Sequence, residues 1–149
     1  MIMKRRIIYQ RANVLDYRSI ANVFKACCFN VSDFASSEIV HYITAKTEGK
    51  IVAALGIEQY GKHALITAVG VIPEYRNMGI GRRMLLHTYQ LAKNLQISHI
   101  HYFTEDTRFF QKLGFTILER EMAPFNVIKS DKYNRSFTEE NKLYLAYKV

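Results

Sequence analysis

The sequence predicts a mixed α+β fold, with a central, mostly antiparallel sheet of six to seven strands flanked by about four helices. Three observations lead there. Strand-like runs at 42–47, 51–60 and 64–71 are joined by the short glycine-bearing linkers E-G-K and Y-G-K-H, as in an antiparallel meander. After Pro73 the apolar residues switch to helical spacing, and from Ile97 they return to strand-like runs. A strand, helix, strand crossover joins parallel neighbours, so the sheet must be mixed.

Taken in order, R-I-I-Y-Q-R at 6–11 reads as a first strand. Asn13 can cap a helix in which Ile20, Val23, Phe24 and Cys27 fall at i, i+3, i+4 and i+7. A second, shorter helix is expected from Ser32 or Asp33 to about His41, with Phe34, Ile39 and Val40 as its apolar side. The meander follows, and then a helix from about Gly79 to Leu95 on the spacing of Met84, Leu85, Leu91, Ala92 and Leu95. Ile97–Thr104 reads as a strand, Asp106–Leu113 as a short helix closed by Gly114, and Phe115–Glu121 as another strand. At the C-terminus Leu143, Leu145, Tyr147 and Val149 alternate with Tyr144, Ala146 and Lys148, which predicts a last strand.

Composition narrows the classes. An apolar fraction of 49% with 23% charged residues excludes a collagenous or disordered chain, and no repeat or Gly/Ser-rich linker divides residues 1–149, which read as one domain. The only cysteines, Cys27 and Cys28, are adjacent, so neither a bridge nor a metal cage is implied, and a reducing compartment fits. No apolar run reaches the roughly 18 residues of a membrane span, and residues 1–11 lack a signal-peptide core. The expectation is a cytoplasmic protein with no membrane partner. The formal charge of +8 attracts polyanions, but the basic residues are scattered rather than gathered into a nucleic-acid arm. A phosphorylated cofactor is the other candidate.

Between Val69 and Arg83 the chain reads V-G-V-I-P-E-Y-R-N-M-G-I-G-R-R, a buried strand, a short loop and a glycine-rich turn into a helix. The first turn of a helix leaves about four N–H groups unpaired and carries roughly half a positive charge, which suits a phosphate. Gly79 and Gly81 remove side chains that would block close approach, while Arg76, Arg82 and Arg83 add charge. A diphosphate fits this chemistry; a plain glycine loop beside solvated arginines is the alternative.

This run resembles the signature of the GNAT superfamily of N-acetyltransferases: a strand ending apolar-x-apolar-x-Pro, then R/Q-x-x-G-x-G/A, then a helix. Arg76, Gly79 and Gly81 occupy the marked places, and F-F-Q-K-L-G-F from Phe109 to Phe115 is similar to the family's second signature. With the predicted strand order, the resemblance covers about the whole chain. It implies the GNAT-type acyl-CoA N-acyltransferase fold and acetyl-CoA as cosubstrate. The pyrophosphate would lie on the amides of Met78, Gly79, Ile80, Gly81, Arg82 and Arg83, with Asn77 and Phe110 also against the cofactor. The pantetheine arm would run beside Val69, Gly70 and Val71 like an added strand. In the family a backbone N–H of this strand polarises the thioester carbonyl where two parallel strands splay, which makes Val69 the oxyanion donor and Gly70 the expected bulge. A dinucleotide fold fits less well, because the loop follows a meander and R-x-x-G-x-G is not G-x-G-x-x-G.

Acetylating an amine requires loss of a proton, since alkyl amines have pKa values near about 10. Glu58, in G-I-E-Q-Y-G beside the proposed acetyl-binding strand, is the candidate base, directly or through water; its alternative is an edge carboxylate facing solvent. Glu105 and Asp106 are second choices, with an N-cap role for Asp106 or Thr104 competing. Where many family members carry a Tyr that protonates the departing thiolate, this chain has Phe110, which cannot donate. Tyr102 and Tyr144 are the substitutes to weigh, and a thiol pKa of about 8.5 also allows an unassisted departure.

A weaker resemblance, in G-I-E-Q-Y-G, the Phe109-Phe110 pair and the segment from Arg120, points to small GNAT enzymes acting on amino-acid-like amines, including the arsinothricin-type acetyltransferases. The chain departs from them at Thr67-Ala68 and lacks a C-terminal Cys-Pro, so their substrate is not carried over. Arg120, Lys129 or Arg135 could meet an acceptor carboxylate, with surface solvation as the alternative. His41, His63, His87, His99 and His101 lack metal-ligand spacing, and His99 with His101 reads as a surface pair, so no metal is expected. The expected function is direct acetyl transfer to a small primary amine, selected by the first two helices and residues 122–141. A peptide or protein N-acetyltransferase, a non-catalytic acyl-CoA-binding module and, last, a nucleic-acid binder are the competing readings; a homodimer is compatible with the family.

Overall fold

The computed structural model describes residues 6–27, 40–128 and 142–149. Strand β1 (Ile8–Arg11) leads into a capping box at Asn13, whose side chain accepts from Leu15 N at 2.9 Å while Asp16 accepts from Asn13 N at 3.0 Å. One 3-10 turn at Val14–Asp16 then passes into α1 (Tyr17–Ala26). The helix expected at 32–41 lies outside the described residues, apart from Val40 and His41, which open a strand instead.

The meander is β2 (Val40–Thr47), β3 (Lys50–Tyr60) and β4 (His63–Val71). Its first turn takes Glu48 at φ 52° and Gly49 at φ 74°, the paired positive φ values that match the twist of a hairpin. Helix α2 (Ile80–Asn94) follows, and ends at Gln96, whose φ of 59° lets Gln96 N reach Lys93 O and Ile97 N reach Ala92 O. That closure uses the amide of Ile97, so β5 begins at His99 (His99–Thr104), two residues later than the sequence suggests. Helix α3 (Thr107–Lys112) closes the same way on Gly114, at φ 100°. Strand β6 is only Thr116–Leu118, because it is an edge strand held by β7 alone, and the chain turns into a 3-10 turn at Arg120–Met122 and the short α4 (Phe125–Ile128). Strand β7 (Leu143–Lys148) completes the sheet.

The order is β1-β2-β3-β4-β5-β7-β6, antiparallel except for β4 beside β5, as the crossover through α2 requires. Apolar side chains on both sheet faces are covered. Met84 and Leu85 of α2 and Phe110 of α3 pack with Leu55, Ile57, Ile66 and Ile100 on one face. Ile20, Val23 and Phe24 of α1 pack with Tyr42, Ala54 and Ala68 on the other, and Val127 of α4 beside them covers Leu65, Phe103 and Tyr144.

The bulge lies at Thr67. Gly56 pairs with Ala68 and Ile57 with Ile66, leaving Thr67 as the extra residue on β4. This corrects the expectation that Gly70 marks it. Gly70 is glycine for packing, since a Cβ there would stand 3.0 Å from Cys27 Sγ and 3.3 Å from Phe24 Cδ1. Gly56 is tighter still: a Cβ would meet Tyr42 Cε1 at 2.6 Å and Thr67 Oγ1 at 2.7 Å. Gly56→Ala is expected to cost about 1–3 kcal/mol, read as a lower urea midpoint with unchanged slope.

Candidate functional site

Strands β4 and β5 are bonded only at His63–Leu65 against His99–His101, after which both continue unpaired with each other. The bulge at Thr67 comes two residues after Leu65, the last β4 residue paired with β5, and bends β4 away, which opens a V between two parallel strands. The alternation of the β3–β4 ladder fixes which way the amides point. Ile72 N donates to Val52 O while Val71 stands opposite Ala53, so Val71 and Val69 are non-bonded positions toward β3 and turn their N–H and C=O groups to the open edge. Val71 O agrees, since its partners are Arg76 Nε at 2.9 Å and Cys27 Sγ at 3.4 Å.

The V leads into a cleft of about 580 Å³. One wall is Val69, Gly70 and Val71, the far wall Tyr102, Thr104, Asp106, Phe109 and Phe110, and the floor the loop 75–77 with the head of α2. Asn77 at φ 63° and Gly79 at φ 79° make that loop tight. The first bond of the helix runs from Arg83 N to Gly79 O at 3.2 Å, so the N–H groups of Ile80, Gly81 and Arg82 have no partner within it. A Cβ on Gly81 would find only Phe109 Cζ, at 3.5 Å. An elongated, phosphate-ended molecule fits this cleft, with free amides and Arg76 and Arg82 at one end and outward strand amides along its length.

Among the residues singled out from sequence, Val69, Gly70, Val71, Arg76, Asn77, Gly79, Ile80, Gly81, Arg82 and Phe110 all line this cleft. Met78 and Arg83 do not. The Arg83 amide closes the helix, which removes it as a phosphate donor, and its side chain lies in the field of Tyr9. Phe110 is 4% exposed and packs edge-on against Tyr102 at 4.9 Å, so it belongs to the core as much as to the cleft. Burial pushes the Tyr102 hydroxyl up to about 12, and a bond with the Thr104 side chain partly offsets this, so it remains protonated at neutral pH. Thr104 caps the following turn, its Oγ1 accepting from Asp106 N at 3.0 Å, whereas Asp106 makes no side-chain cap bond.

Glu58 lies elsewhere, on the sheet face away from Val69. The register sets Tyr60, His63, His99 and Lys148 in one row across β3, β4, β5 and β7, and Glu58, Leu65, His101 and Ala146 in the next. Phe103 and Tyr144 stand in the third. Glu58 accepts the Tyr60 hydroxyl proton and, through Leu65, is level with the last β4–β5 pair.

His99 and His101 are not a surface pair: His101 is only 3% exposed, and Val127 of α4 packs on Leu65, Phe103 and Tyr144 of the same sheet face. His101 Nδ1 lies 2.6 Å from Tyr144 Oη and its Nε2 lies 2.9 Å from His63 Nδ1, a chain that sequence spacing did not reveal because three separate strands supply it. Arg120 stands over the Phe103 ring at 6.0 Å and donates to Lys142 O, while Lys129 and Arg135 lie outside the described residues. Cys27 lines the cleft and Cys28 is outside the described residues. No group of three or more His, Cys, Asp or Glu among the described residues could hold a metal, and none of the described helices is long and apolar enough to cross a membrane.

Burial, together with the neighbouring His63 and His99, pushes the His101 imidazole down to about 3. The unfolded chain takes up this proton near 6.5, while the folded chain refuses it until about 3. Between those values the unfolded state binds more protons, so the His101 contribution is complete above about 6.5 and is lost as pH falls toward 3. Urea midpoints measured from pH 7 to pH 4 should decline less steeply in His101→Gln than in the unaltered chain.

Comparisons with known proteins agree with this fold. The acetyltransferase (GNAT) family matches residues 10–115. A curated relative, an uncharacterized N-acetyltransferase of Chlorobaculum tepidum, is 24% identical over 117 residues, 78% of this chain and 68% of the relative. N-acetylglutamate synthase from Neisseria gonorrhoeae, solved with coenzyme A and N-acetyl-glutamate, superposes with a TM-score of 0.74 at 15% identity. The match takes in 99% of this chain but only 36% of the synthase, so the chain spans about a third of that protein's length. The ribosomal-protein-S18-alanine N-acetyltransferase of Escherichia coli superposes with a TM-score of 0.75 at 15% identity, over 97% of this chain and 94% of that one.

Proposed function

The chain is an N-acetyltransferase of the GNAT family, and from that premise we propose that residues 1–149 act as one domain that transfers the acetyl group of acetyl-CoA directly to a small primary amine. The observation that carries the reading is the V between β4 and β5, with the Val69 and Val71 amides turned into it and the unbonded head of α2 at its mouth. The pyrophosphate lies on the amides of Ile80, Gly81 and Arg82, with the Arg76 and Arg82 guanidiniums beside it. The pantetheine arm extends the sheet along Val69–Val71 in the manner of an added strand. The thioester carbonyl accepts from Val69 N–H, a donor fixed in place by the β3–β4 ladder before any charge develops on the oxygen.

The amine approaches from the opposite face and attacks the carbonyl carbon as a free base. Glu58, level with the apex on that face, takes its proton directly or through water. The tetrahedral adduct collapses with cleavage of the C–S bond. Tyr102, protonated in the far wall beside Phe110, is the hydroxyl placed to supply the departing sulfur, with return of the proton from solvent. The small-amine reading rests on economy: the strands and helices of the sheet domain take up most of the described residues. One structural relative is a synthase of N-acetylglutamate and another a ribosomal-protein-S18-alanine N-acetyltransferase, so a peptide amine is the second reading. A cytoplasmic location and a homodimer remain part of the proposal.

Thiol release from acetyl-CoA across amino acids, polyamines, amino sugars and short peptides tests the activity. Turnover with one class identifies the acceptor, and no turnover with any class contradicts the reading. Gly81→Glu should abolish CoA binding in calorimetry, whereas Gly81→Ala should retain it because its Cβ meets only Phe109 at an ordinary distance. Glu58→Gln should slow acetyl transfer about 100-fold or more while CoA affinity is unchanged; an unaltered rate removes Glu58 from the mechanism.

A further inference from the structure

A carboxylate that takes a proton from the acceptor amine must keep one oxygen turned toward it, within hydrogen-bond reach. A glutamate side chain is long and flexible and has two equivalent oxygens, so left alone it does neither reliably. We propose that Tyr60 is the positioning residue for Glu58: its hydroxyl holds one carboxylate oxygen so that the other is presented to the amine, or to a water between them. The inference rests on the reading of Glu58 as the base.

The strand itself builds the pair. Residues two apart share a face of a strand, and Glu58 and Tyr60 are such neighbours at the end of β3, just before the turn at Gly61 and Lys62. Tyr60 Oη donates to Glu58 Oε2. Among the described residues Glu58 has no second hydrogen bond and no cation paired with it, so Oε1 is left open. A hydrogen bond to an ionised acceptor is stronger than one between neutral groups, so Tyr60 grips best while the carboxylate is ready to act as a base. Tyr60 is in turn restrained, because its ring packs against the buried cluster of Leu65, Phe103, Val127 and Tyr144. A rigid aromatic arm thus carries the order of that core to a flexible carboxylate.

Register gives the grip its direction. Glu58 stands opposite Leu65, and Leu65 pairs with His101 at the last β4–β5 contact, so the carboxylate is level with the apex of the V. Tyr60 stands opposite His63, one row farther back, where β4 and β5 are still paired. It therefore takes hold of Glu58 from the closed part of the sheet and leaves the side toward the V open. The other titratable group in the Glu58 row cannot replace either partner. His101 has both ring nitrogens engaged, Nδ1 with Tyr144 Oη at 2.6 Å and Nε2 with His63 Nδ1 at 2.9 Å, and has none left for an amine or for Glu58.

The test is a double-mutant cycle on the full chain, read by steady-state acetyl transfer with CoA affinity measured on the same preparations. Tyr60→Phe keeps the ring and its packing and removes only the hydroxyl. It should lower kcat about tenfold or more, with KM for acetyl-CoA and for the acceptor held within about twofold. In the Glu58→Gln background, where no base remains to be aimed, the same substitution should change kcat by less than about twofold. An undiminished kcat in Tyr60→Phe overturns the positioning role and leaves the transferase reading intact. So does an equal loss in both backgrounds, the mark of a merely structural hydroxyl, or a raised acceptor KM at unchanged kcat, the mark of one that binds the acceptor instead. Glu58→Gln running at full rate overturns the reading beneath, and the role of Tyr60 with it.

Discussion

The structure depends on one constraint, the parting of two parallel strands after a brief contact. β4 and β5 share only the pairing of His63–Leu65 with His99–His101. Thr67, inserted as an extra residue against β3, then bends β4 out of register with its other neighbour. An unpaired edge inside a sheet would normally be costly, because each buried N–H or C=O needs a partner. Here the cost is partly met: Val71 O takes both Arg76 Nε and Cys27 Sγ. The outward N–H groups of Val69 and Val71 are what the proposed cofactor would complete, as an incoming strand does at a sheet edge.

The same parting separates two kinds of chemistry. On the α2 side the cleft is a main-chain device, built from strand amides, a tight loop at Asn77–Gly79 and the free first turn of a long helix. Its binding character depends on backbone direction, so glycine and positive φ matter more there than side-chain identity. The opposite face is a side-chain device, where Glu58, Tyr60, His63, His101 and Tyr144 are aligned by register across four strands. Polar groups buried there are bonded to one another, as burial demands, and their order along the face follows from the pairing of the strands.

The sequence made the first of these legible and concealed most of the second. Local signals survive translation into structure: Asn13 caps, Gly49 and Gly114 take the positive φ values their turns require, and the switch of period after Pro73 marks α2. The cleft was readable because its loop, strand and helix head are contiguous from Val69 to Arg82. Details set by three-dimensional packing were not. The bulge lies at Thr67, since a bulge of this kind needs no glycine, while Gly70 answers to the approach of Cys27 and Phe24. The Arg83 amide had already closed the helix, one residue earlier than the sequence motif implied. The bonds from His101 to His63 and Tyr144 were hidden because they join β4, β5 and β7, and β6 is short because among the described strands it pairs with β7 alone.

The central claim is that the open edge of β4 and the head of α2 receive acetyl-CoA through their main-chain amides. Amide chemical shifts of the isotope-labelled chain, followed by NMR during titration with CoA, test it most directly. The account predicts large changes at Val69, Val71, Ile80, Gly81 and Arg82, with much smaller ones at Gly70 and Ile72, whose amides are committed to β3. Saturable binding that leaves those five amides unmoved, or that instead perturbs the separate hollow between α1 and the β2–β3 turn, would contradict it.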